Sequence, residues 1–136
     1  MKAELICDGF GLIEGPVWYD KLGLLFSDVL FGGVFCLDKE RKLTTVFEHR
    51  KGIGGMCLHE EDGMVVSGRN IAYKPLTTGE TIVILDRDEA QGRVGFNDIT
   101  VDPSGRIYAG SLGSSPVFDD GLPERAGDLY LIENDG

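Results

Sequence analysis

The sequence predicts an all-β fold built from similar units, and two observations support this. Short stretches in which apolar and polar residues alternate recur along the 136 residues, while helical periodicity is almost absent. A unit of two such strands joined by an acidic turn with glycine begins at Glu14, Gly54 and Asn97. A repeat of this length, with several short strands in each unit, is typical of β-propeller blades. We therefore expect about three blades, a partial propeller.

The clearest unit lies between Gly95 and Ser111. Residues 98–101 alternate as a first strand, residues 102–105 form a turn, and residues 106–110 alternate as a second strand. Within the turn, Pro103 presets φ at the second position, and Gly105 accepts a positive φ without steric cost.

The chain divides into units at about residues 11–48, 51–93 and 95–136, within one partial propeller domain over 1–136. Residues 86–93 read as a polar loop, residues 112–126 as a long loop and residues 133–136 as a further turn. Pro16 is expected where no ladder hydrogen bond is needed. The predicted strands are 3–7, 14–18, 24–28, 34–38 and 42–48, then 56–59, 63–67, 71–74 and 81–85, then 98–101, 106–110 and 128–132.

Three blades do not close a ring, and an open end would expose strand edges. The third unit also lacks a fourth predicted strand. We therefore expect the ring to be completed by a missing C-terminal half or by another chain.

The charge of the chain argues against polyanionic partners. Lys and Arg number 13 against 23 Asp and Glu, a net charge of −10. An acidic surface repels phosphate backbones, so neither nucleic acid nor an anionic membrane is expected as a partner. Simple solubility accounts for such a charge, and a metal site would add to it only locally. No stretch approaches a transmembrane length.

The cysteines and the N-terminus point to the cytoplasm. Cys7, Cys36 and Cys57 are odd in number and form no CxxC pair, so we interpret them as buried, reduced thiols. The first fifteen residues carry acidic side chains where a signal peptide would be apolar.

Several motifs resemble those of the senescence-marker-protein (regucalcin)/gluconolactonase/luciferin-regenerating-enzyme family. The resemblance extends from about Gly11 to Gly136 and corresponds to the N-terminal half of the family. It implies half of a six-bladed propeller with a divalent metal on its axis, and hydrolysis of sugar lactones. The motifs are EGPVW at 14–18, FND at 96–98, VDPSGR at 101–106, YAG at 108–110 and GDLY at 127–130.

Under this resemblance Glu14 is a metal ligand and a catalytic residue. The family's metal is also held by an Asn and an Asp from later blades, which would lie beyond Gly136. Calcium or zinc is the expected ion, with magnesium or manganese as further options. Because hard cations need several oxygen ligands, this chain alone is expected to bind metal weakly or not at all.

The resemblance assigns Asn97 to substrate contact, with Asp98 beside it. Many lactonases of the family carry an Arg two residues before that Asn, where this chain has Gly95. Some carry an acidic residue in the loop after the AG motif, where this chain has Ser114 and Ser115. Arg69, together with Asn70, is a candidate to compensate as a substrate-binding residue.

Each of these residues also has a structural interpretation. Glu14 would be a solvated turn carboxylate, Asn97 an Asx turn, and Asp98 a strand cap or a group that orients Asn97. Asp28 follows an apolar strand and would face either the axis or a turn. Asp102 is explained by its turn.

The remaining chemistry-bearing residues give weaker signals. His49 and His59 lack the spacing of paired metal ligands and are expected in loops or on blade surfaces. Phe and Trp residues are expected to fill the space between blades.

The leading hypothesis is a metal-dependent hydrolase that opens a small-molecule, sugar-type lactone ring. Two others stay open. The chain would belong to a non-catalytic propeller that binds a metal, a small ligand or a protein partner, or it would be inert alone.

Overall fold

The computed structural model describes residues 1–115, 121 and 123–133. These residues form eleven β-strands in three antiparallel sheets, one turn of 3-10 helix and no α-helix. The first sheet contains β1 (Ile13–Tyr19), β2 (Gly23–Asp28), β3 (Val34–Leu37) and β4 (Leu43–Phe47). The second contains β5 (Met56–His59), β6 (Gly63–Val66), β7 (Ile71–Pro75) and β8 (Ile82–Leu85). The third contains β9 (Gly95–Val101), β10 (Ile107–Leu112) and β11 (Leu129–Ile132).

Within each sheet, every strand pairs with the next strand along the chain. In this meander every strand pairs with its neighbour in the chain, through short turns in most cases and through a long connection between β10 and β11. The three sheets are three successive propeller blades, which confirms the predicted all-β fold.

The turn between β9 and β10 shows how local chemistry directs the chain. Asp102 Oδ1 accepts hydrogen bonds from the backbone N–H groups of Ser104 (2.8 Å) and Arg106 (3.1 Å). Its Oδ2 accepts another from Arg106 Nε at 2.7 Å, and this side-chain hydrogen bond lowers the pKa of Asp102. Gly105 has a φ of 79°. Asp102 is therefore explained by its turn, as expected.

Pro16 lies in a bulge of β1. Glu14 pairs with Ser27, and the register then shifts before Val17 pairs with Leu25. A bulge leaves its extra residue unpaired, so the missing N–H of proline costs no ladder hydrogen bond. The expectation for Pro16 is confirmed.

Two apolar clusters hold the blades face to face. The first joins the first two sheets through Leu25, Val34, Met64 and Val66. The second joins the second and third sheets, with Val65 and Ile71 packed against Phe96, Ile107 and Ala109. The three inner strands of the second blade, β5 to β7, thus contribute to both clusters, as alternating side chains of a central blade require, whereas β8 stays mostly exposed.

The N-terminal segment differs from its prediction. Residues 3–7 form no strand, so that expectation was wrong. The segment instead leads to Phe10, whose ring packs edge-on against Phe26 and Phe35 at centroid distances of 5.0 and 5.1 Å. In the described structure no strand pairs with residues 3–7, and the ring contacts of Phe10 attach the segment instead.

Two further expectations need correction. Trp18 does not fill the space between described blades, since it is 53% exposed and its Nε1 donates to Asp20 Oδ1 at 2.7 Å. The predicted polar loop at 86–93 contains a 3-10 helix, Glu89–Gln91. Its N-cap, Asp88, accepts from the N–H of Gln91 and thereby orders the turn.

The remaining expectations concern the cysteines, membrane-spanning segments and the loops near the C-terminus. The three cysteines are free; Cys36 and Cys57 are buried as expected, but Cys7 is only partly buried, so the expectation was wrong for Cys7. No helix in the described part of the chain is long and apolar enough to cross a membrane. Most of the predicted turn at 133–136, and residues 116–120 and 122 of the predicted long loop, lie outside the described residues.

Candidate functional site

The site is built where the first strands of the three blades meet. β5 contacts β1 on one side and β9 on the other. Just before β5, Gly54 is buried, and its carbonyl oxygen lies 3.0 Å from where a Cβ on Gly15 would be. On its other side a Cβ on Gly54 would collide with Asn97 Oδ1. A glycine at 54 thus brings Glu14, the neighbour of Gly15, and Asn97 to one end of the inner strands.

Glu14 is half-buried in β1. Its backbone oxygen accepts a hydrogen bond from Ser27 Oγ, which holds the backbone in place. Among the described residues its carboxylate has no hydrogen-bond or ion-pair partner. A carboxylate that is positioned but unpaired is free to bind a cation or to exchange a proton.

Asn97 and Asp98 lie within β9 rather than before the strand, because pairing already begins at Gly95. The register of β9 against β10 shifts beside them. Neither side chain has a hydrogen-bond partner in the described part of the chain, so Asn97 does not form an Asx turn. Asn97 is half-buried against Gly54, whereas Asp98 is exposed.

Asp28 serves a turn and not the axis. It is 1% exposed at the end of β2. Its carboxylate accepts backbone hydrogen bonds from Gly11 (2.8 Å), Leu12 (3.3 Å), Leu30 (3.0 Å) and Phe31 (3.0 Å). Burial alone would raise the pKa of Asp28, but these four donors together hold it below the ordinary value. The carboxylate is therefore fully engaged in joining the entry of β1 to the turn after β2.

Arg69 lies next to Gly95 although 26 positions separate them in the sequence. The Arg69 Cα is 3.9 Å from the point where a Cβ on Gly95 would be. The same point is only 2.9 Å from the carbonyl oxygen of Gly68, whose backbone also accepts a hydrogen bond from Phe96 N–H. Close packing at Gly68 therefore excludes a side chain at 95 and places an exposed arginine beside that position.

Asn70 takes a different role from its neighbour. Its Oδ1 accepts a hydrogen bond from Arg50 Nη2 at 2.9 Å. Burial lowers the pKa of Arg50, and this hydrogen bond satisfies one of its donors. Asn70 thus supports the connection before β5, so Arg69 alone of the pair faces the groove described below.

The histidines lie outside this region. His49 is exposed in a turn with a φ of 58°, and the ring of His59 packs on Tyr73 at 4.5 Å. Across residues 1–115, 121 and 123–133 there is no group of three or more His, Cys, Asp or Glu side chains that could hold a metal.

The sequence interpretation missed a serine that recurs in each blade. Ser27 Oγ–H is shared between the carbonyl oxygens of Ile53 (2.7 Å) and Glu14 (3.0 Å). Ser67 Oγ accepts from Gly55 N–H at 2.7 Å, and Ser111 Oγ accepts from Asp128 N–H at 2.9 Å. The signal was available, because a serine follows the apolar part of the second strand in every unit.

Comparison with known proteins identifies the class to which this architecture belongs. The family described as "SMP-30/Gluconolactonase/LRE-like region" matches residues 12–136. The chain therefore belongs to the SMP-30/gluconolactonase/LRE-like family, as its motifs indicated.

Individual relatives and a solved structure support this family assignment. Regucalcins from Xenopus laevis and Gallus gallus are each 30% identical over 96% and 97% of this chain, which covers 44% and 45% of their lengths. The structure of XC5397 from Xanthomonas campestris, described as a gluconolactonase, matches 96% of this chain with a TM-score of 0.77 and 19% identity. This chain covers 47% of that structure. It thus spans about half the length of its relatives, as expected for three blades of a six-bladed propeller.

Proposed function

We propose that this chain contributes half of the active centre of a lactonase, a hydrolase that opens a sugar-type lactone ring. The observation that carries the proposal is that Gly54 packs against Asn97 on one side and against Gly15, the neighbour of Glu14, on the other, in a chain of the gluconolactonase family. An unpaired carboxylate and an amide are suited to catalysis and substrate contact.

A divalent cation, calcium or zinc, with magnesium or manganese as further options, fits the proposed site only in part. Glu14 supplies a carboxylate oxygen and Asn97 lies nearby with an amide oxygen, which are the donor types that hard cations prefer. The described residues supply no third acidic or histidine ligand, so they do not make a complete site. A bound cation would polarise the lactone carbonyl and lower the pKa of a water molecule.

The residues of this chain have distinct proposed roles. Glu14 acts as the carboxylate that holds the cation or accepts a proton. Asn97 donates to an oxygen of the substrate through its amide, while Asp98 on the same strand contacts a hydroxyl. Arg69 reaches the substrate from beside Gly95, in place of an arginine on that strand.

Completion of the ring is part of the proposal. Exposed apolar side chains remain on β1, at Ile13 and Trp18, and on β11, at Leu129 and Leu131. Such side chains on the outermost blades support closure by a C-terminal half or by another chain. The three free cysteines are compatible with the cytoplasm as the site of action.

A lactone-hydrolysis assay tests the function. Glucono-δ-lactone is supplied to the 136-residue chain with calcium, zinc, magnesium or manganese, and acid release is followed at constant pH. We expect Glu14→Gln to abolish any metal-dependent rate, while Glu40→Gln, an equal change of charge at an exposed site, retains it.

A binding module is the second candidate, supported by the incomplete ligand set and by the departures at Gly95 and Ser114–Ser115. Calorimetric titration with each metal, with the mass in solution measured alongside, separates the two. Metal binding without hydrolysis of any lactone would favour the module. A dimer that binds metal tightly and hydrolyses lactone would show that two copies complete the centre.

A further inference from the structure

Beside the candidate site lies an open groove whose charge is opposite to that of the protein. Its volume is about 710 Å³. Within the described part of the chain it is lined by four basic side chains, Lys51, Arg69, Arg87 and Arg125, and by one carboxylate, Glu89. We call this the cationic groove.

The composition of the cationic groove is the reverse of the whole chain. Acidic residues outnumber basic ones 23 to 13 in the sequence. Among the described lining residues, four cations face one carboxylate, which leaves a formal excess of three positive charges. Concentration of like charge in a concave surface raises the local concentration of oppositely charged ligands.

Two of the four cations, Lys51 and Arg69, form no ion pair within the described part of the chain. Arg87 pairs with Glu89 at 2.6 Å. Lys51 and Arg69 are exposed, and neither forms an ion pair with any residue that the structure describes. Two cations are therefore available for a ligand without the loss of an existing interaction.

Three glycines line the groove beside these side chains, and close backbone packing explains two of them. A Cβ on Gly68 would collide with the carbonyl oxygen of Gly52, and one on Gly95 would lie 2.9 Å from the carbonyl oxygen of Gly68. Glycines at 68 and 95 thus let the loop before β5, the loop after β6 and the start of β9 approach one another. Three of the residues that line the groove, Gly52, Gly68 and Gly95, therefore carry no side chain that would occupy it.

The groove adjoins the candidate site. Gly95 and Phe96 line it, and Asn97 is the next residue of β9. Two residues along a strand span about 7 Å. A single sugar derivative can therefore reach from Asn97 into the groove. The volume lies in the range of small-molecule pockets, about 300–1,000 Å³, rather than that of a macromolecular surface.

We infer that the cationic groove binds the anionic group, a phosphate or a carboxylate, of a substrate whose lactone ring lies at Asn97 and Glu14. This inference rests on the proposed lactonase function for the position of the ring. The anion site itself is testable without hydrolysis.

Direct binding provides the first test. Isothermal titration of the 136-residue chain compares glucose 6-phosphate and glucuronate with glucose, which differs from them by lacking the anion. We expect binding of one or both anions, no binding of glucose, and weaker binding in 0.5 M salt. The two anions distinguish a phosphate site from a carboxylate site. Equal binding of all three sugars, or of none, would overturn the inference.

Variants of matched charge sharpen the test. Arg69→Gln should weaken anion binding about tenfold, because a guanidinium is the strongest partner of such groups. Arg41→Gln, the same change at an exposed site paired with Glu4, should leave it unchanged. Glu89→Gln should tighten binding two- to threefold by releasing Arg87, while Glu40→Gln should not. Equal weakening by Arg69→Gln and Arg41→Gln would show a general charge effect and overturn the site.

Rates of hydrolysis of anionic and neutral lactones distinguish this inference from the proposed function. An enzyme with this groove should prefer 6-phosphogluconolactone or glucaro-1,4-lactone to neutral glucono-δ-lactone in kcat/KM, and Arg69→Gln should abolish the preference. Anion binding without hydrolysis would end the lactonase proposal and keep the groove. Hydrolysis of the neutral lactone without anion binding would support the lactonase proposal and reject the cationic groove as an anion site.

Discussion

Ser27 Oγ lies 2.7 Å from the carbonyl oxygen of Ile53, a hydrogen bond from the first blade to the start of the second. The hydroxyl is completely buried and also lies 3.0 Å from the carbonyl oxygen of Glu14. One side chain therefore connects the backbone that carries the candidate catalytic carboxylate to the neighbouring blade.

Replacement of Ser27 by alanine should destabilise the chain. The substitution leaves the buried carbonyl oxygen of Ile53 without its donor, which costs about 1–3 kcal/mol. Urea unfolding measures the change. Ser104→Ala, an exposed site in the Asp102 turn, serves as the control and should shift the midpoint little. Equal effects of the two variants would contradict the bridging role of Ser27.

Asp28→Asn should destabilise the fold in a pH-dependent way. The folded pKa of Asp28 is lowered from 3.8, so its stabilising contribution is present above about pH 4 and is lost as the pH falls through the folded pKa. An amide cannot accept from all four N–H donors, and we expect a loss of about 2 kcal/mol or more at pH 7.

Unfolding curves between pH 2 and pH 7 test this expectation. The difference in stability between the native chain and Asp28→Asn should shrink below pH 4. Asp8→Asn, at an exposed position, should show no such difference. A gap that stays constant down to pH 2 would mean that the charge of Asp28 is not what stabilises the turn.

Gly54→Ala should displace Asn97. The new methyl group would collide with Asn97 Oδ1 and lie 3.2 Å from its Cα. We expect a loss of about 1–3 kcal/mol, because overpacking forces neighbours to shift. Gly110→Ala, whose Cβ would meet only Asp98 O at 3.9 Å, is the matched control.

A double variant isolates the contact. If the clash is with the Asn97 side chain, Gly54→Ala combined with Asn97→Ala should be less destabilised than the two single effects predict. If the losses in free energy of unfolding measured in urea simply add, the strain caused by Gly54→Ala does not arise from the Asn97 side chain.

Gly95→Arg, which introduces the arginine found in many lactonases of the family, should fail to improve the site. The Cβ of residue 95 would lie 2.9 Å from the carbonyl oxygen of Gly68, which also accepts a hydrogen bond from Phe96 N–H, so any displacement would disturb that hydrogen bond. We expect destabilisation of about 1–3 kcal/mol, and a similar value for Gly95→Ala because both carry the same Cβ. Thermal unfolding compares the stabilities of Gly95→Arg and Gly95→Ala. A Gly95→Arg variant that is as stable as the native chain and hydrolyses lactone faster would refute the role assigned to Arg69.

The thiols should react in a fixed order. Burial raises the pKa of Cys57 to about 11 and also raises that of Cys36, so few thiolates form at pH 8. Cys7 is partly exposed. A disulfide reagent should therefore modify one thiol rapidly and two only on unfolding. Cys7→Ser should remove the rapid phase, and its persistence would show that a buried thiol is accessible.

The sequence by itself determined the local architecture. Alternation of apolar side chains, the acidic turns with glycine and the repeat of about 40 residues predicted the strands and the three blades, because strand pleat and turn geometry depend on neighbouring residues. The DPSG turn at Asp102 and the bulge at Pro16 follow from the same short-range rules. The motifs around Glu14 and Asn97 identified the family.

Only the tertiary structure decided which distant residues meet. It assigned Asp28 to a turn, left Trp18 exposed, paired Asn70 with Arg50 and placed Arg69 beside Gly95. The segment at 3–7 was a strand candidate, but no described strand pairs with it. The physical reason is that burial of a side chain and contacts between residues distant in the sequence depend on how the whole chain packs, which no local pattern records.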